Sequence, residues 1–392
     1  STVNRSIGNI QFDYTFHGFK DLRANLNLGY DVSSSDGRRI VPVEAASNFF
    51  RNGQHFAYDQ QKTNKTLEFY LNYVKNLEAI DSKIDVMAGY SWQDFLRSGK
   101  DVDQPFARDT VLSNVPYKTQ STLVSFYGRV NYALKDRYLV TATLRRDGSS
   151  RFGPENRWGL FPSVALAWKL KEENFLKGSK ALTDLKLRLG YGITGQQDIG
   201  GTANIGNDYP YLARYTPGMN TAMHRFGNDF VYTLRPEPYD ANIRWEQTAT
   251  LNAGLDYAFA DGRIYGSVDV YSRKTKDLLN TAGSSLSNSL LTNVGSLENT
   301  GVEVTLNIAP FRREDWNLDL GFNLTANRNK ITRLTNVSDP SYLGVATGGI
   351  TGGTGNNVQI HSVGYPVSAF YLYRQVYNTA GAPVEGLYVD RN

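Results

Sequence analysis

No cysteine occurs in the chain, which removes disulfide frameworks, thiolate metal sites and cysteine nucleophiles from consideration. No apolar run approaches the roughly 20 residues of a membrane-spanning helix, so a helical membrane protein is excluded. Blocks of one charge are missing too, and the net charge of +4 is dispersed, too small to argue for nucleic acid. There is no Pro/Ser linker and no switch to helical periodicity, so nothing divides the 392 residues into domains. None of these absences excludes a transmembrane barrel. Its strands alternate in polarity, which leaves the mean hydropathy polar, as the value of −0.43 is here.

What the chain does have favours strands and turns. Tyr (25), Phe (19) and Gly (36) are plentiful, while helical stretches rich in Ala, Leu and Lys are scarce. Asn242 to Leu279 shows the repeating unit. Leu251, Ala253, Leu255, Tyr257 and Phe259 alternate with Asn252, Gly254 and Asp256, Asp261 and Gly262 reverse the chain, and Ile264, Gly266, Val268 and Val270 resume the alternation.

The same rhythm runs along the chain. Strands are predicted at Ile7–Phe16 and Leu22–Tyr30, at Leu67–Tyr73 and Ile84–Tyr90, and at Val124–Tyr132 and Tyr138–Leu144. Further strands follow at Phe161–Leu170, Leu185–Ile193, Val302–Ile308, Trp316–Leu324 and Ala369–Tyr377. Irregular connections are expected at Ser33–Thr63 and Leu96–Lys118, and a short helical turn at Glu172–Lys180.

Two regularities set the architecture. About 13 strands can be drawn, most of them roughly 9 to 14 residues long, against a usual soluble mode of about 5 to 6; tilted membrane strands need about 9 to 11. Short and long connections also alternate, as periplasmic turns and extracellular loops do in a membrane barrel.

Face chemistry agrees. The faces opposite the apolar stripes carry Arg23, Asn25, Asn27, Arg129, Asn131, Arg145, Lys186, Arg188, Asn252, Asp256, Asp269, Glu303, Asn307, Asp319 and Asn323. In a dry sandwich core each unpaired charge would cost several kcal/mol; in a wet lumen the cost is small. Tyr30, Tyr73, Tyr90, Tyr132 and Tyr191 at strand ends suit an interfacial girdle.

Longer blocks carry a resemblance. RRDGSSRFGPENRWGLFPSVALAWKLKEENFL (Arg145 to Leu176), LKLRLGYGITGQQDIG (Leu185 to Gly200), IRWEQTATLNAGLDYAFADGRIYGSVDVYSRKTKDLL (Ile243 to Leu279), NVGSLENTGVEVTLN (Asn293 to Asn307) and VGYPVSAFYLYRQVY (Val363 to Tyr377) resemble the SusC/RagA family of TonB-dependent outer-membrane transporters. The resemblance implies an all-β fold: a large antiparallel transmembrane β-barrel with long extracellular loops, of which the chain supplies about 13 strands of 22. Residues 1–392 are then expected to be a partial barrel domain, with the plug and the last strands elsewhere in a longer protein. The resemblance further implies a SusD-like surface lipoprotein and the TonB–ExbB–ExbD complex as partners, outer-membrane lipid around the wall, and import of oligosaccharides or peptides.

Transport requires capture and a gated path rather than covalent chemistry, so no catalytic residues are expected. Candidate substrate-binding or loop-interface residues are Tyr209, Tyr211, Tyr215, His224, Arg225 and Tyr239, in the longest aromatic loop. Packing of the loops or contact with the lipoprotein is the alternative for the same residues. Asp147, Arg151, Glu155 and Arg157 read as a charged network holding the rim. The glycine-rich stretches near Gly190 and Gly348 lack the lysine and helix of a phosphate cradle.

No cofactor is expected. His17, His55, His224 and His361 lie far apart, without metal spacing. Structural calcium at Asp390 and Asn392, in a loop of the Asp-x-Asn type, is weighed against a solvated turn. A glycan is the first choice of cargo and an oligopeptide the second. A passive porin or surface-binding barrel is the competing class, and a soluble β-rich protein the remaining one.

Overall fold

A computed structural model of the chain describes residues 1–46, 53–104, 113–198, 208–218, 223–283, 289–335, 341–349 and 357–389. Eight strands follow one another as antiparallel neighbours: β1 Thr2–Thr15, β2 Leu22–Val41, β3 Gln54–Leu77, β4 Ser82–Gln104, β5 Ser113–Leu134, β6 Tyr138–Ser149, β7 Trp158–Lys169 and β8 Leu182–Gln196. The segment after β8 carries four short strands in two separate hairpins, β9 Arg214–Pro217 with β12 Leu234–Glu237 and β10 Met223–Phe226 with β11 Asp229–Tyr232. β8 then pairs with β13 Glu246–Phe259, and β13 with β14 Ile264–Lys276. After the small hairpin β15 Leu279–Gly283 and β16 Ser289–Asn293, the main sheet resumes with β17 Ser296–Arg312 and β18 Asn317–Arg333. Short strands β19 Val345–Gly349, β20 Asn357–His361, β21 Ala369–Phe370, β22 Gln375–Tyr377 and β23 Pro383–Tyr388 lie outside it.

The main sheet of the described residues thus has 12 strands, all antiparallel. The expected strand at Ala369–Tyr377 does not join it; the two short pieces β21 and β22 belong to separate small sheets. The rhythm of the connections matches expectation. Turns at 16–21, 78–81, 135–137, 260–263 and 313–316, and the short helical passage 170–181, form one rim; the C-terminal ends of β2, β4, β6, β8 and β14, from which the longer connections leave, lie at the other. At the 260–263 turn Asp261 and Gly262 both take positive φ (54° and 74°), the conformation that closes a hairpin without splaying its strands.

Parity along the register assigns the faces. Leu26, Phe69, Tyr90, Phe126, Leu144, Leu166, Leu189, Ala253, Val270 and Val302 lie on one face, and the polar residues predicted to face the lumen lie on the other. Leu144, Leu166, Leu189 and Leu251 are each about half exposed (52%, 46%, 44% and 58%). A continuous apolar stripe of this kind is an aggregation hazard in water but the required surface in lipid.

The connections expected at Ser33–Thr63 and Leu96–Lys118 are largely strand. β2 continues to Val41, β3 begins at Gln54, β4 runs to Gln104 and β5 begins at Ser113. At 24 residues β3 reaches roughly 80 Å, far more than the apolar band of about 25 Å requires. On β2 the outward apolar positions Leu22, Ala24, Leu26, Leu28, Tyr30 and Val32 give way to Ser34, Asp36 and Arg38. From there β2–β5 project past the lipid on the long-loop side.

The opposite rim is braced at the expected helical turn, Asn174–Lys177. Glu173 accepts hydrogen bonds from the Tyr138 hydroxyl (2.6 Å) and the Trp168 indole (3.0 Å), and the two rings stack with centroids 6.1 Å apart. These donors, with Arg137 nearby, hold the Glu173 carboxyl below the usual glutamate range. Stabilisation from a depressed carboxyl is present above its unfolded-state pKa, about 4.3, and is lost as pH falls through the lower folded value. Thermal midpoints of the purified protein are therefore expected to drop over that acidic window, and Glu173→Gln to flatten the part of the drop due to this rim; an identical profile in the variant would discard the assignment.

Candidate functional site

The lumen wall is polar and internally strapped. On β8, β13 and β14, Arg188, Gly254 and Asp269 form one row across the sheet. Glycine leaves room for the guanidinium, which donates to both Asp256 oxygens (2.8 to 3.0 Å) and to Asp269 (2.9 Å); Lys186 also reaches Asp256 at 2.8 Å. Two cations meet two carboxylates, so the patch ties three strands without net charge. On β3, β5 and β6 the Tyr127 hydroxyl donates to Glu68 (2.8 Å), and Arg145 donates to Asp147 (2.7 Å) and Ser125 (2.8 Å) while lying 5.6 Å from the Tyr127 ring centre. Ser125 and Asp147 are buried beneath this network, while Arg188, Lys186 and Arg145 keep about a third of their side chains exposed and can exchange hydrogen bonds with a polar cargo.

At the long-loop rim the fold buries a small apolar knot. Phe152, Phe161, Ile243 and Trp245 are all at most 6% exposed, and Leu123, Tyr211 and Leu291 pack against them. Trp245 contacts Phe152 at 5.2 Å and Phe161 edge-on at 5.4 Å between ring centres, and its indole donates to the Arg157 carbonyl (3.0 Å). Polar bonds close the knot. The Asn156 amide donates to the Asn242 carbonyl (3.0 Å), the Thr292 hydroxyl to Asp240, and Arg244 to Asp277 (2.8 Å). The Asn293 side chain accepts from the Arg244 backbone N–H and donates to the Arg244 and Asp277 carbonyls. Connections 150–157, 197–245 and 277–295 are thereby fastened to one another.

The candidate residues of the long loop occupy three different settings. Tyr209 and Tyr211 pack edge to face (6.4 Å), with the Tyr209 hydroxyl donating to the Gln120 carbonyl (2.7 Å). Burial, with Asp208 beside it, pushes the Tyr209 phenol up. Tyr215 lies opposite Pro236 in the β9–β12 hairpin and is 63% exposed. There the Thr216 hydroxyl and Arg235 hold the Glu237 carboxyl below its usual range. In the β10–β11 hairpin the His224 ring meets Phe226 edge-on (4.7 Å), and Arg225 donates to the Gly227 carbonyl (2.8 Å) beneath Phe230. Tyr239 is exposed near the knot.

Of the charged rim candidates, Arg151 reaches Asp198 (3.4 Å) and Asp208 (3.6 Å), Asp147 joins Arg145, Arg157 contributes its carbonyl to Trp245, and Glu155 is exposed. Asp390 and Asn392 lie outside the described residues. Sequence reasoning passed over Phe152, Ile243 and Trp245; the signal was an apolar and an aromatic residue flanking Arg244, just before the alternation of β13 begins.

Comparison with known proteins fits this geometry. The TonB dependent receptor-like β-barrel family model matches residues 1–388. TonB-dependent receptor SusC of Bacteroides thetaiotaomicron is 43% identical over 401 aligned residues, covering 99% of this chain and 39% of SusC. TonB-dependent receptor P3 of Formosa agariphila is 32% identical, covering 94% of this chain and 37% of P3. The chain therefore spans about two fifths of these relatives' length. The structure of the RagAB peptide transporter superposes with a TM-score of 0.76 at 20% identity, covering 97% of this chain and 43% of that one, a likeness of fold. Proteins of this family are transport barrels, not enzymes. An apolar outer face, a polar lumen face, alternating rims and a family match along nearly the whole sequence together make the chain a member of the TonB-dependent receptor β-barrels of the outer membrane.

Proposed function

We propose that the chain is a large part of the wall of an energised importer that carries oligosaccharides across the outer membrane. The observation that carries this reading is the 43% identity to SusC along 99% of the chain. Among the described residues β1 and β18 are the two ends of the main sheet and do not pair with each other. Open edges are not tolerated in lipid, so further strands of a longer protein complete the barrel. A plug in that protein would close the lumen and couple it to TonB–ExbB–ExbD, and a SusD-like lipoprotein would cover the long-loop rim.

Oligopeptide import by the same mechanism is the second reading, favoured by the fold shared with the RagAB peptide transporter. A lumen wall rich in amides, hydroxyls and compensated ion pairs suits a neutral polyhydroxylated cargo at least as well. Uptake of labelled oligosaccharides and oligopeptides by cells carrying the full-length gene tests the reading. Oligosaccharide accumulation is expected, and it is expected to stop when the proton gradient is collapsed. Accumulation that persists without the gradient would make the barrel a passive pore, and exclusive peptide accumulation would select the second reading.

A further inference from the structure

The projecting part of β2–β5 has an inner face continuous with the lumen wall, since no register shift interrupts the pairing of these four strands. Phe56, Tyr58, Gln60 and Tyr117 lie on that face, above the row where the outer stripe turns polar. Tyr58 pairs directly with Gly37, and Tyr117 with Gly99. A Cβ on Gly37 would stand 2.6 to 2.7 Å from the Tyr58 ring and hydroxyl, and one on Gly99 2.7 Å from the Tyr117 hydroxyl. Both tyrosines therefore lean over bare backbone, and both remain partly exposed. The two leaning rings sit two strands apart, roughly 10 Å across the sheet.

Planar hydrogen-bonding groups surround the rings. The Gln60 amide donates to the Tyr117 hydroxyl (2.7 Å). Arg39 donates to the side-chain Oε1 of Gln54 (2.6 Å), and the Gln54 side-chain Nε2 donates to Asp103 (3.0 Å), joining the cation to the anion through a neutral bridge. Phe56 adds a third ring, 6.3 Å from Tyr58.

Flat aromatic faces beside compensated planar polar groups match the two sides of a sugar ring, its C–H face and its hydroxyl edge. A peptide would be expected to seek a free strand edge. β3 and β4, in the middle of the platform, offer none because they are paired on both sides here, whereas β5 before Leu123 and β2 beyond Asp36 have a ladder partner on one side only among the described residues. The ring faces and planar polar groups, rather than the lack of an edge, favour a sugar.

We propose that Tyr58 and Tyr117, with Gln60, Gln54, Arg39 and Asp103 around them, form a neutral-oligosaccharide platform on the inner face of the β2–β5 projection. The platform rests on the reading of the chain as an oligosaccharide importer and adds a place on the wall where the cargo is held. Tyr209 of the long connection reaches the Gln120 carbonyl on β5, three residues along the same strand from Tyr117, so the platform adjoins that end of the long connection.

The test uses the full-length protein purified in detergent, titrated calorimetrically with gluco-, xylo-, manno- and fructo-oligosaccharides of matched length. For whichever series binds, Tyr58→Ala and Tyr117→Ala are expected to weaken binding tenfold or more. Tyr117→Phe keeps the ring and is expected to stay within about threefold of wild type, with unchanged thermal midpoints certifying the fold. Binding by wild type that both alanine variants retain overturns the platform and leaves the import reading standing. Equal losses in Tyr117→Ala and Tyr117→Phe overturn stacking, since the bond to Gln60 alone would then carry the effect. If no oligosaccharide series binds the wild-type protein, or only peptides do, the import reading fails and the platform with it.

Discussion

A Trp245→Ala variant is expected to release the rim knot, with a loss of about 3 to 5 kcal/mol local to the long-loop rim. Three contributions converge on this side chain. It is 5% exposed, its rings contact both Phe152 and Phe161, and its indole N–H satisfies the Arg157 carbonyl. Truncation opens a cavity and strands a carbonyl, and neighbouring strands give it little freedom to collapse because Phe161 belongs to β7. The strand ladders do not depend on the knot, so the barrel wall should hold while the connection 197–245 loses its anchor. Limited proteolysis reads this directly: cleavage within 197–245 should accelerate by two orders of magnitude or more, with little change elsewhere. Trp245→Phe retains ring contacts and should fall between. Unchanged cleavage in the alanine variant would mean that the connection is held by its polar bonds alone.

How much of this was legible in the sequence depends on where each stretch meets lipid. Leu22–Tyr30, Tyr138–Leu144 and Leu251–Phe259 announce themselves because lipid demands an apolar residue at every second position. The projections of β2–β5 send no such signal. QQKTNK in β3 and RSGKDVDQ in β4 are polar on both faces, since water lies on both sides, and they read as irregular connection although they are strand. That misreading also hid Tyr58 and Tyr117, whose partners Gly37 and Gly99 lie on other strands.

The candidate residues of the long loop show a different limit. Aromatic density between Tyr209 and Tyr239 is visible in the sequence, but convergence is a matter of three-dimensional pairing. Tyr211 is drawn to the knot by Phe152 and Trp245, while His224 and Arg225 are carried off on a hairpin of their own. The charged lumen row shows the opposite case. Arg188, Asp256 and Asp269 were assigned to the inner face by alternation alone, and the register then placed them within bonding distance.

The face assignment itself predicts a large asymmetry between two adjacent residues. Val268 sits midway along the outer apolar stripe of β14, flanked by Leu255 and Val304 on neighbouring strands, whereas Ser267 faces the lumen beside Asp256 and Thr305. Val268→Arg places a cation near the middle of the hydrocarbon, at a cost of about 2 to 4 kcal/mol. Ser267→Arg places the same cation in the wet lumen next to a carboxylate, where the cost is close to zero. Composition, strand propensity and position along the chain are nearly identical for the two variants, so only the identity of the facing medium separates them. Folding of the full-length protein into lipid vesicles, followed by urea titration, should show a clear loss of stability for Val268→Arg and almost none for Ser267→Arg. Equal losses would mean that β14 does not divide lipid from lumen, and a greater loss for Ser267→Arg would turn the wall inside out.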